Sequence, residues 1–297
     1  MLSILIPTYN YNVYPLVKVI HSQALNCNIS FEILVYDDGS NSKLNSDNKL
    51  INNLPNCVFK ELHVNIGRSA IRNLLGKDAK FDWLLFLDAD VIPVRNNFLQ
   101  KYLNLLPKNP DVIYGGIEYQ KREPEKDCLL RWFYGKNREA LNVAQRNKNK
   151  YLRFLTLNFL IRKSVFENVK FNETIPNLRH EDTLFAYNLK NAKINILHIN
   201  NPIYHLGLDT SEEFIKKSLE SIHSLLFLST NNLIPNKYIK ISKVYAFCKK
   251  TYLNVFFANL YKKYNTLFIE NLLSKKPSLF VLDLYRLSYL CFIDRNK

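Results

Sequence analysis

Glycine is scarce in this chain, with 7 residues among 297. A backbone that needs a positive φ has few other residues to use, so each glycine is informative. Residues 7–13, which follow the first predicted strand, contain no glycine. This absence excludes dinucleotide-binding and P-loop enzymes, whose phosphate loops are rich in glycine. It also argues against a sugar nucleotidyltransferase, which needs such a loop at the same place.

Cysteine pairs with metal-binding spacing are also lacking. The 5 cysteines show no CxxC or Cys/His zinc pattern. An odd number of unpaired thiols favours a reduced, cytoplasmic protein. No run reaches the roughly 18 uncharged apolar residues of a spanning helix. The longest candidate, from Leu279 to Ile293, is interrupted by Asp283 and Arg286.

Acidic residues are few relative to basic ones, and the net charge is +15. Such an excess is explained by an acidic partner, a membrane surface or solubility. Residues 211–297 hold 14 Lys/Arg and 6 Asp/Glu, so this tail alone carries +8.

The apolar pattern predicts an α/β fold with a doubly wound, mostly parallel sheet and a helical C-terminal extension. Short apolar runs alternate with helical patterns over residues 1–117, as in parallel sheets with crossover helices. The predicted strands are Leu2–Ile6, Phe31–Tyr36, Cys57–Leu62, Trp83–Leu87 and Val112–Tyr114. The predicted helices between them are Tyr14–Leu25, Asn45–Leu54, Ser69–Asp78 and Asn97–Leu106. A further strand, helix and strand follow at Phe154–Ile161, Glu181–Lys190 and Ile194–Ile199.

Polar side chains follow three of these strands. The segments are Pro7-Thr8-Tyr9-Asn10, Asp37-Asp38-Gly39-Ser40 and Asp88-Ala89-Asp90. Because ligands of open parallel sheets bind beyond the carboxyl ends of the strands, we expect these segments to form one site.

Asp88 and Asp90 suit a metal site. At positions i and i+2 of an extended chain they point to the same side, about 6 to 7 Å apart, which is far for two ligands of one ion. We therefore expect Asp90 to bind a divalent ion, Mn²⁺ or Mg²⁺, while Asp88 meets a ribose or reaches the ion through water.

Other residues suit a nucleotide. The Asp38 carboxylate either caps the next helix, as Ser40 also could, or accepts a hydrogen bond from a base N–H. Tyr9 offers an aromatic face to a nucleobase. Arg68 and Arg72 share one helix face at i and i+4. They are either solvated arginines or contacts to a phosphate or a carboxylate.

Five segments in order carry a family resemblance: residues 2–10, 36–40, 65–73, 87–90 and 179–183. Together they resemble glycosyltransferase family 2 on the GT-A fold, over roughly residues 1–208. The resemblance implies transfer of a sugar from a nucleotide diphosphate donor, foremost a UDP-sugar, with inversion at the anomeric carbon. It also implies roles for single residues: Pro7, Thr8, Tyr9, Asn10 and Asp38 in nucleoside binding, Asp88 and Asp90 at ribose and metal, and Asp182 in catalysis.

Inversion by direct displacement needs a base that takes the proton of the acceptor hydroxyl. Asp182 is the candidate base, and Glu181 positions the acceptor or orients an arginine. The alternative for Asp182 is a carboxylate favoured by a helix N-terminus. His205 is either a structural histidine or, as in relatives, a residue that completes the metal site or meets the diphosphate.

The composition of the C-terminal tail suggests contact with a membrane surface. Tyr238 to Leu260 interleaves aromatic residues with lysines, as in helices that lie on anionic membranes. The alternative is a helical subdomain with solvated lysines. Contact through residues 238–297 would place the protein at the inner face of the cell membrane, near a lipid-linked acceptor.

We therefore predict a GT-A glycosyltransferase domain over residues 1–208, with a nucleotide-binding half (1–117) and an acceptor half (118–208), followed by a basic, aromatic-rich helical extension (209–297). The predicted function is an inverting, metal-dependent, hexosyltransferase-like glycosyltransferase of bacterial surface polysaccharide synthesis. Its acceptor is a saccharide or a lipid-linked saccharide. The alternatives are a non-catalytic module that binds nucleotide sugars or polyanions, and a sugar nucleotidyltransferase. Nucleic acid is not an expected partner, because the sheet edge is acidic.

Overall fold

The apolar runs of the first two thirds of the chain form a β-sheet in the computed structural model, which describes residues 1–175 and 179–295. The chain divides into two compact units. The sheet unit consists of Met1–Gln120, Glu139–Asn177 and Glu181–Gly207. The helical unit consists of Lys121–Arg138, Leu178–His180 and Leu208–Lys297.

The strands lie where apolar, β-branched and aromatic residues are dense. Within the described ranges they are β1 (Leu2–Thr8), β2 (Phe31–Asp37), β3 (Cys57–Glu61), β4 (Trp83–Leu87), β5 (Val91–Pro93), β6 (Val112–Tyr114), β7 (Ile117–Glu118), β8 (Asn158–Arg162), β9 (Ile196–His198) and β10 (Ile203–His205). The described strands form a seven-stranded sheet in the order β3-β2-β1-β4-β8-β6-β9 and a three-stranded sheet in the order β5-β10-β7.

The helices of the sheet unit are α1 (Tyr14–Asn26), α2 (Asn45–Asn48), α3 (Arg68–Asp78), α4 (Phe98–Leu103), α6 (Val143–Asn147), α7 (Lys163–Asn168) and α8 (Glu181–Asn191). Those of the helical unit are α5 (Leu129–Tyr134), α9 (Ser211–Thr230), α10 (Lys240–Lys250), α11 (Leu253–Leu272) and α12 (Leu279–Arg295). Short 3₁₀ segments cover Lys49–Asn53, Leu106–Lys108 and Lys126–Cys128, and a π-helical turn covers Gly135–Glu139.

Strand direction determines which residues meet at one edge. β1 is parallel to β2 and to β4, and β2 is parallel to β3. β8 runs antiparallel to both of its neighbours, β4 and β6. The carboxyl ends of β1, β2, β4 and β6 therefore share one edge with the amino end of β8, where Asn158 lies opposite Leu87.

Aromatic rings fill the space beside the central strands. Phe86 of β4 stacks on Phe159 of β8 with ring centroids 4.9 Å apart, and Phe171 stacks on Phe185 of α8 at 4.2 Å. Stacking of this kind adds about 0.5 to 1.5 kcal/mol per pair beyond the burial of the rings. This core fixes α8, whose first turn carries Glu181 and Asp182.

The predicted strands and helices of the first 117 residues agree with the structure to within a few residues, except that the predicted helix Asn45–Leu54 is one helical turn followed by a 3₁₀ segment. The predicted strand Phe154–Ile161 begins only at Asn158.

The basic, aromatic stretch from Tyr238 to Leu260 is divided between two helices, α10 and α11. The helix breaks between α10 and α11, where Tyr252 adopts a left-handed conformation with φ 61°. The Thr251 hydroxyl donates to the Phe247 carbonyl at 3.0 Å. Such side-chain bonds to the backbone compete with helix continuation.

The helical unit has its own apolar cores. One cluster contains Leu130, Phe214, Phe268, Leu272 and Tyr285, which come from α5, α9, α11 and α12. Two of its helices, α11 and α12, are joined by the short segment 273–278. Within residues 1–175 and 179–295, no helix combines the length and the apolar character that crossing a bilayer requires.

Asn158 is fully buried and ties three segments together. Its Nδ2 donates to the carbonyls of Gly116 and Asn201 at 2.9 and 3.0 Å, and its Oδ1 accepts from the Tyr102 hydroxyl at 2.7 Å. We expect Asn158→Ala to lower the free energy of unfolding by about 3 kcal/mol, because it leaves these buried polar groups without partners. Asn53→Ala, at an exposed position, should change it by less than about 0.5 kcal/mol. Urea denaturation followed by circular dichroism measures both, and equal effects would contradict this assignment.

Candidate active site

The loop after β2 is held by the carboxylate of Asp38. Ile66 N–H donates to its Oδ1 at 2.7 Å, and Gly67 N–H donates to its Oδ2 at 3.0 Å. Gly39, with φ +67°, lies so close to the same segment that a Cβ would be 2.4 Å from the carbonyl carbon of Val64. Only glycine fits this close approach. The predicted nucleoside-binding loop is therefore bonded to the segment that begins α3.

The residues that follow β1 lie beside this loop. The carbonyl of Thr8 accepts from the Asp38 N–H at 2.9 Å, and the Thr8 side chain is buried. Pro7 is the preceding residue of β1. Asn10 adopts φ 50° and accepts from the Ser42 hydroxyl at 2.8 Å, whereas the ring of Tyr9 is exposed. The structure thus brings together all five residues predicted to contact the nucleoside.

A buried ion pair follows β4. Arg72 Nη2 lies 2.7 Å from Asp88 Oδ1, and the Arg72 side chain is buried while Asp88 is partly exposed. Burial raises the pKa of Asp88, an effect that the Arg72 charge opposes. Arg72 Nη1 also donates to the carbonyl of Arg68 at 3.2 Å, which fixes the guanidinium on α3. Of the two arginines predicted to contact a phosphate or a carboxylate, Arg72 therefore contacts a carboxylate.

Asp90 lies against the end of β10. Its Oδ2 is 3.3 Å from His205 Nε2, and the buried Nδ1 of His205 has no hydrogen-bond partner among the described residues. Gly207 makes room for the carboxylate, since a Cβ there would be 2.0 Å from Asp90 Oδ2. The pKa of Tyr11 is raised by burial and then by the charge of Asp90.

The donor set of Asp90 and His205 fits a divalent ion that takes most of its ligands from elsewhere. Carboxylate oxygen and imidazole nitrogen both suit Mn²⁺, and such ions commonly keep waters and add substrate phosphates. No group of three or more metal-ligating side chains occurs in the described ranges. Asp88, the third predicted ligand, is instead paired with Arg72.

Glu181 and Asp182 open α8 at the same edge. Glu181 Oε1 lies 3.6 Å from Arg68 Nη1. Asp182 accepts from the Thr183 N–H at 2.6 Å. Burial, and then the charge of Glu181, raises the pKa of Asp182 to about 6. Its raised pKa makes Asp182 a candidate for proton transfer.

Three contacts thus join four segments of the chain: Arg68 to Glu181, Arg72 to Asp88, and Asp90 to His205. Sequence reasoning missed Tyr11, Asn158 and Arg146, which are also at or near this edge. Asn158 had one signal, a polar residue at the start of an apolar strand. The adjacent glycines Gly115 and Gly116, in a chain with so few, marked the segment beside Arg146.

The fold defines an α/β protein of the GT-A type. TarS 1–349 of S. aureus superimposes with TM-score 0.52 at 17% identity, covering 99% of this chain and 91% of that one. Its complex with UDP-GlcNAc gives TM-score 0.51 at 16% identity, with the same shares covered. PcManGT, a mannosyltransferase from Pyrobaculum calidifontis in complex with GDP-Man and Mn²⁺, gives 0.52 at 14% identity, covering 75% of this chain and 62% of that one.

Residues 3–170 match the family model described as Glycosyl transferase family 2, and the chain belongs to this family. It is also similar to an uncharacterized glycosyltransferase of Haemophilus influenzae, with 29% identity over 210 residues, 67% of this chain and 75% of that one. The chain spans only 39% of a longer TarS chain and 36% of a second Haemophilus influenzae glycosyltransferase. The predicted family, fold class and transferase class are confirmed.

A double-mutant cycle tests the Arg72–Asp88 pair. Arg72→Met should lower the free energy of unfolding by about 2 kcal/mol or more, because it leaves a partly buried carboxylate without its counter-charge. Combining it with Asp88→Asn should be less destabilising than the sum of the two single changes by about 1 to 3 kcal/mol. The matched control is the more exposed pair Arg162–Asp111, 3.7 Å apart, whose coupling should stay below about 1 kcal/mol. Urea denaturation gives all of these energies, and additive effects at Arg72 and Asp88 would refute the pairing.

Proposed function

We propose that this protein transfers a sugar from a nucleoside diphosphate donor to a hydroxyl acceptor with inversion at the anomeric carbon. The observation that carries the proposal is the convergence of Asp182, the Arg72–Asp88 pair and the Asp90–His205 pair at one sheet edge. TarS and PcManGT share the fold and hold UDP-GlcNAc and GDP-Man, respectively, which supports a nucleotide sugar as donor.

Asp182 is the proposed base. The acceptor oxygen attacks the anomeric carbon while the bond from that carbon to the diphosphate oxygen breaks. The hydroxyl proton passes to an Asp182 carboxylate oxygen, and the electron pair of the broken bond stays on the diphosphate. A pKa of about 6 keeps Asp182 ionised near neutral pH yet basic enough to take the proton.

The nucleoside is proposed to lie at the ends of β1 and β2, a UDP-sugar being the donor in the first instance. Tyr9 offers an exposed ring for stacking. Asp38 already accepts two backbone N–H groups, but an ionised carboxylate has about four acceptor positions and can also receive a base N–H. We propose Asp88 as the ribose contact.

We propose two sources of positive charge to neutralise the diphosphate. Asp90 and His205 would hold Mn²⁺ or Mg²⁺, which when bound supplies positive charge beside the leaving diphosphate. Arg68 is the more accessible arginine, and its 3.6 Å separation from Glu181 is loose. We propose that Glu181 orients Arg68 toward the phosphates.

The domain limits (1–208 and 209–297), and a role in bacterial surface polysaccharide synthesis on a saccharide or lipid-linked acceptor, are part of this proposal.

Attachment of the extension to the inner face of the cell membrane is also part of this proposal. Residues 221–269 contain seven lysines and no aspartate or glutamate. Phe247, Tyr252 and Phe256 in this stretch are 60%, 81% and 59% exposed. A surface of this composition fits an anionic bilayer, where lysines meet headgroups and aromatic rings enter the interface.

The membrane-facing surface consists of the outer face of α10 and the start of α11. Lys240, Lys243 and Phe247 lie on one side of α10, at helical spacing, while Ser242 and Cys248 on its other side are buried. The exposed rings are therefore additional to the residues that form the core of this unit.

Asp182→Asn tests the base. Turnover of the donor should fall by about 10² to 10⁴-fold while donor binding is unchanged, because the amide keeps the shape but cannot accept the proton. In the unsubstituted protein kcat/KM should fall as the pH drops below about 6, where Asp182 is protonated. Nucleoside diphosphate release from a panel of nucleotide sugars with Mn²⁺ measures turnover, and calorimetry measures binding. Asp111→Asn, at the opposite end of β6, is the control; unaltered turnover in Asp182→Asn would remove this residue from the mechanism.

Vesicle sedimentation tests the membrane contact. Vesicles of phosphatidylcholine with phosphatidylglycerol should bind the protein more strongly than phosphatidylcholine alone, and added salt should weaken binding. The double variant Phe247→Ser with Phe256→Ser should reduce the affinity for these vesicles at least about tenfold, because two rings that would be buried in the membrane interface are lost. Phe280→Ser, an exposed phenylalanine near the other end of the α11–α12 pair, should not. If the protein does not bind vesicles but forms a dimer in solution, and the double variant is monomeric, then this surface binds a second copy of the chain and not a membrane.

A further inference from the structure

A cavity of about 510 Å³ lies within the sheet unit, beyond the end of β6. Its walls include Gly115 and Gly116, the segment 140–144 and Pro202. β6 ends at the same sheet edge as β4, and Asn158 bonds the Gly116 carbonyl from its place opposite Leu87. The cavity thus lies next to the candidate active site, separated from Asp88 by the start of β8.

Arg146 lines this cavity and is only 3% exposed. Its Nη2 donates to the carbonyl of Ile199 at 2.7 Å and more weakly to that of Gly115 at 3.4 Å. The guanidinium lies over the ring of Tyr114, 4.9 Å from its centroid. Its Nε and Nη1 have no hydrogen-bond partner among the described residues.

Arg146 is therefore a buried cation without a carboxylate. None of the ion pairs in the described ranges includes it. Burial lowers its pKa. Burial and then the Arg146 charge lower the pKa of His198 to about 4, so the neighbouring imidazole is neutral and adds no charge. A buried charge that lacks a counter-charge is costly, and proteins rarely keep one without a use.

We propose that this cavity binds an anionic group of the acceptor, a carboxylate or a phosphate ester on a sugar, with Arg146 as its counter-charge. The planar guanidinium suits both groups. Glu118 in the same wall can accept hydrogen bonds from sugar hydroxyls, which a simple inorganic anion lacks. The assignment to the acceptor rests on the proposed glycosyltransfer, whereas binding of the anion itself does not.

The opposing interpretation makes Arg146 a structural residue that only holds the carbonyls of Ile199 and Gly115. That role needs hydrogen-bond donors but no ligand. The two interpretations differ in whether the cavity distinguishes a charged sugar from its neutral counterpart.

Titration of the full-length protein with matched pairs of small molecules tests the proposal. The pairs are glucuronate against glucose and glycerol phosphate against glycerol, at constant ionic strength, followed by the ¹⁵N–¹H signals of Gly115 and Gly116. We expect saturable shifts with at least one anion and none with its neutral counterpart. Glucuronate alone indicates a carboxylate ligand, and glycerol phosphate alone a phosphate ester. No difference between charged and neutral partners, or shifts confined to other residues, would overturn the proposal.

Variants assign the effect to one side chain. Arg146→Gln should weaken anion binding at least about tenfold, the scale of one charge-assisted hydrogen bond. Arg146→Lys should weaken it by a smaller factor, because it keeps the charge but loses the planar fork of donors. Arg95→Gln, which removes an arginine elsewhere in the sheet unit, is the control. Unchanged affinity in Arg146→Gln would overturn the proposal. If this variant does not fold, the comparison of Arg146→Lys with Arg95→Gln decides, since only the former should alter the affinity.

This experiment uses neither donor nor turnover, so its outcome is independent of the proposed reaction. Asp182→Asn should bind the anion as the unsubstituted protein does. Anion binding at Gly115 and Gly116 in a protein that turns over no nucleotide sugar would retain the site and reject the glycosyltransfer. Turnover of a nucleotide sugar without anion binding would retain the glycosyltransfer and reject the anion site.

Discussion

Carboxylates at the end of a buried sheet need counter-charges, and this requirement shapes the site. Asp88 and Asp90 follow a strand whose residues from Leu84 to Leu87 are buried. In water each would be solvated, but here Asp88 is neutralised by Arg72 at 2.7 Å and Asp90 meets His205 at 3.3 Å. The partners come from α3 and β10, so the charges at one strand end hold distant parts of the chain in place.

Aspartates at this edge of the sheet differ in role. Asp38 accepts two backbone N–H groups and so fixes the loop that precedes α3. Burial of Asp182, and then the charge of the adjacent Glu181, raise its pKa to about 6. Two aspartates of one sheet edge thus differ in chemistry because their surroundings differ. The positive charge of the chain is concentrated elsewhere, since residues 221–269 hold seven lysines and no acid.

The order of apolar runs and turn residues predicted most of the sheet. β4 and β6 have the predicted limits, because a short apolar run with polar ends has little freedom in where it begins. The direction of β8 was not predictable, since apolar periodicity is the same for parallel and antiparallel strands. The break at Tyr252 was missed because α10 and α11 share one helical period, while the Thr251 hydroxyl bond that accompanies it depends on local geometry.

The sequence by itself determined the family, the α/β class and the candidate residues, because motif order and apolar spacing are properties of the chain alone. Only the tertiary structure decided which charges are paired. It brought Arg72 to Asp88 and His205 to Asp90, and left Arg146 buried beside a cavity with no carboxylate paired to it among the described residues. Electrostatic partnership depends on distances of a few ångströms between residues that are far apart in sequence, and spacing along a chain does not encode such distances.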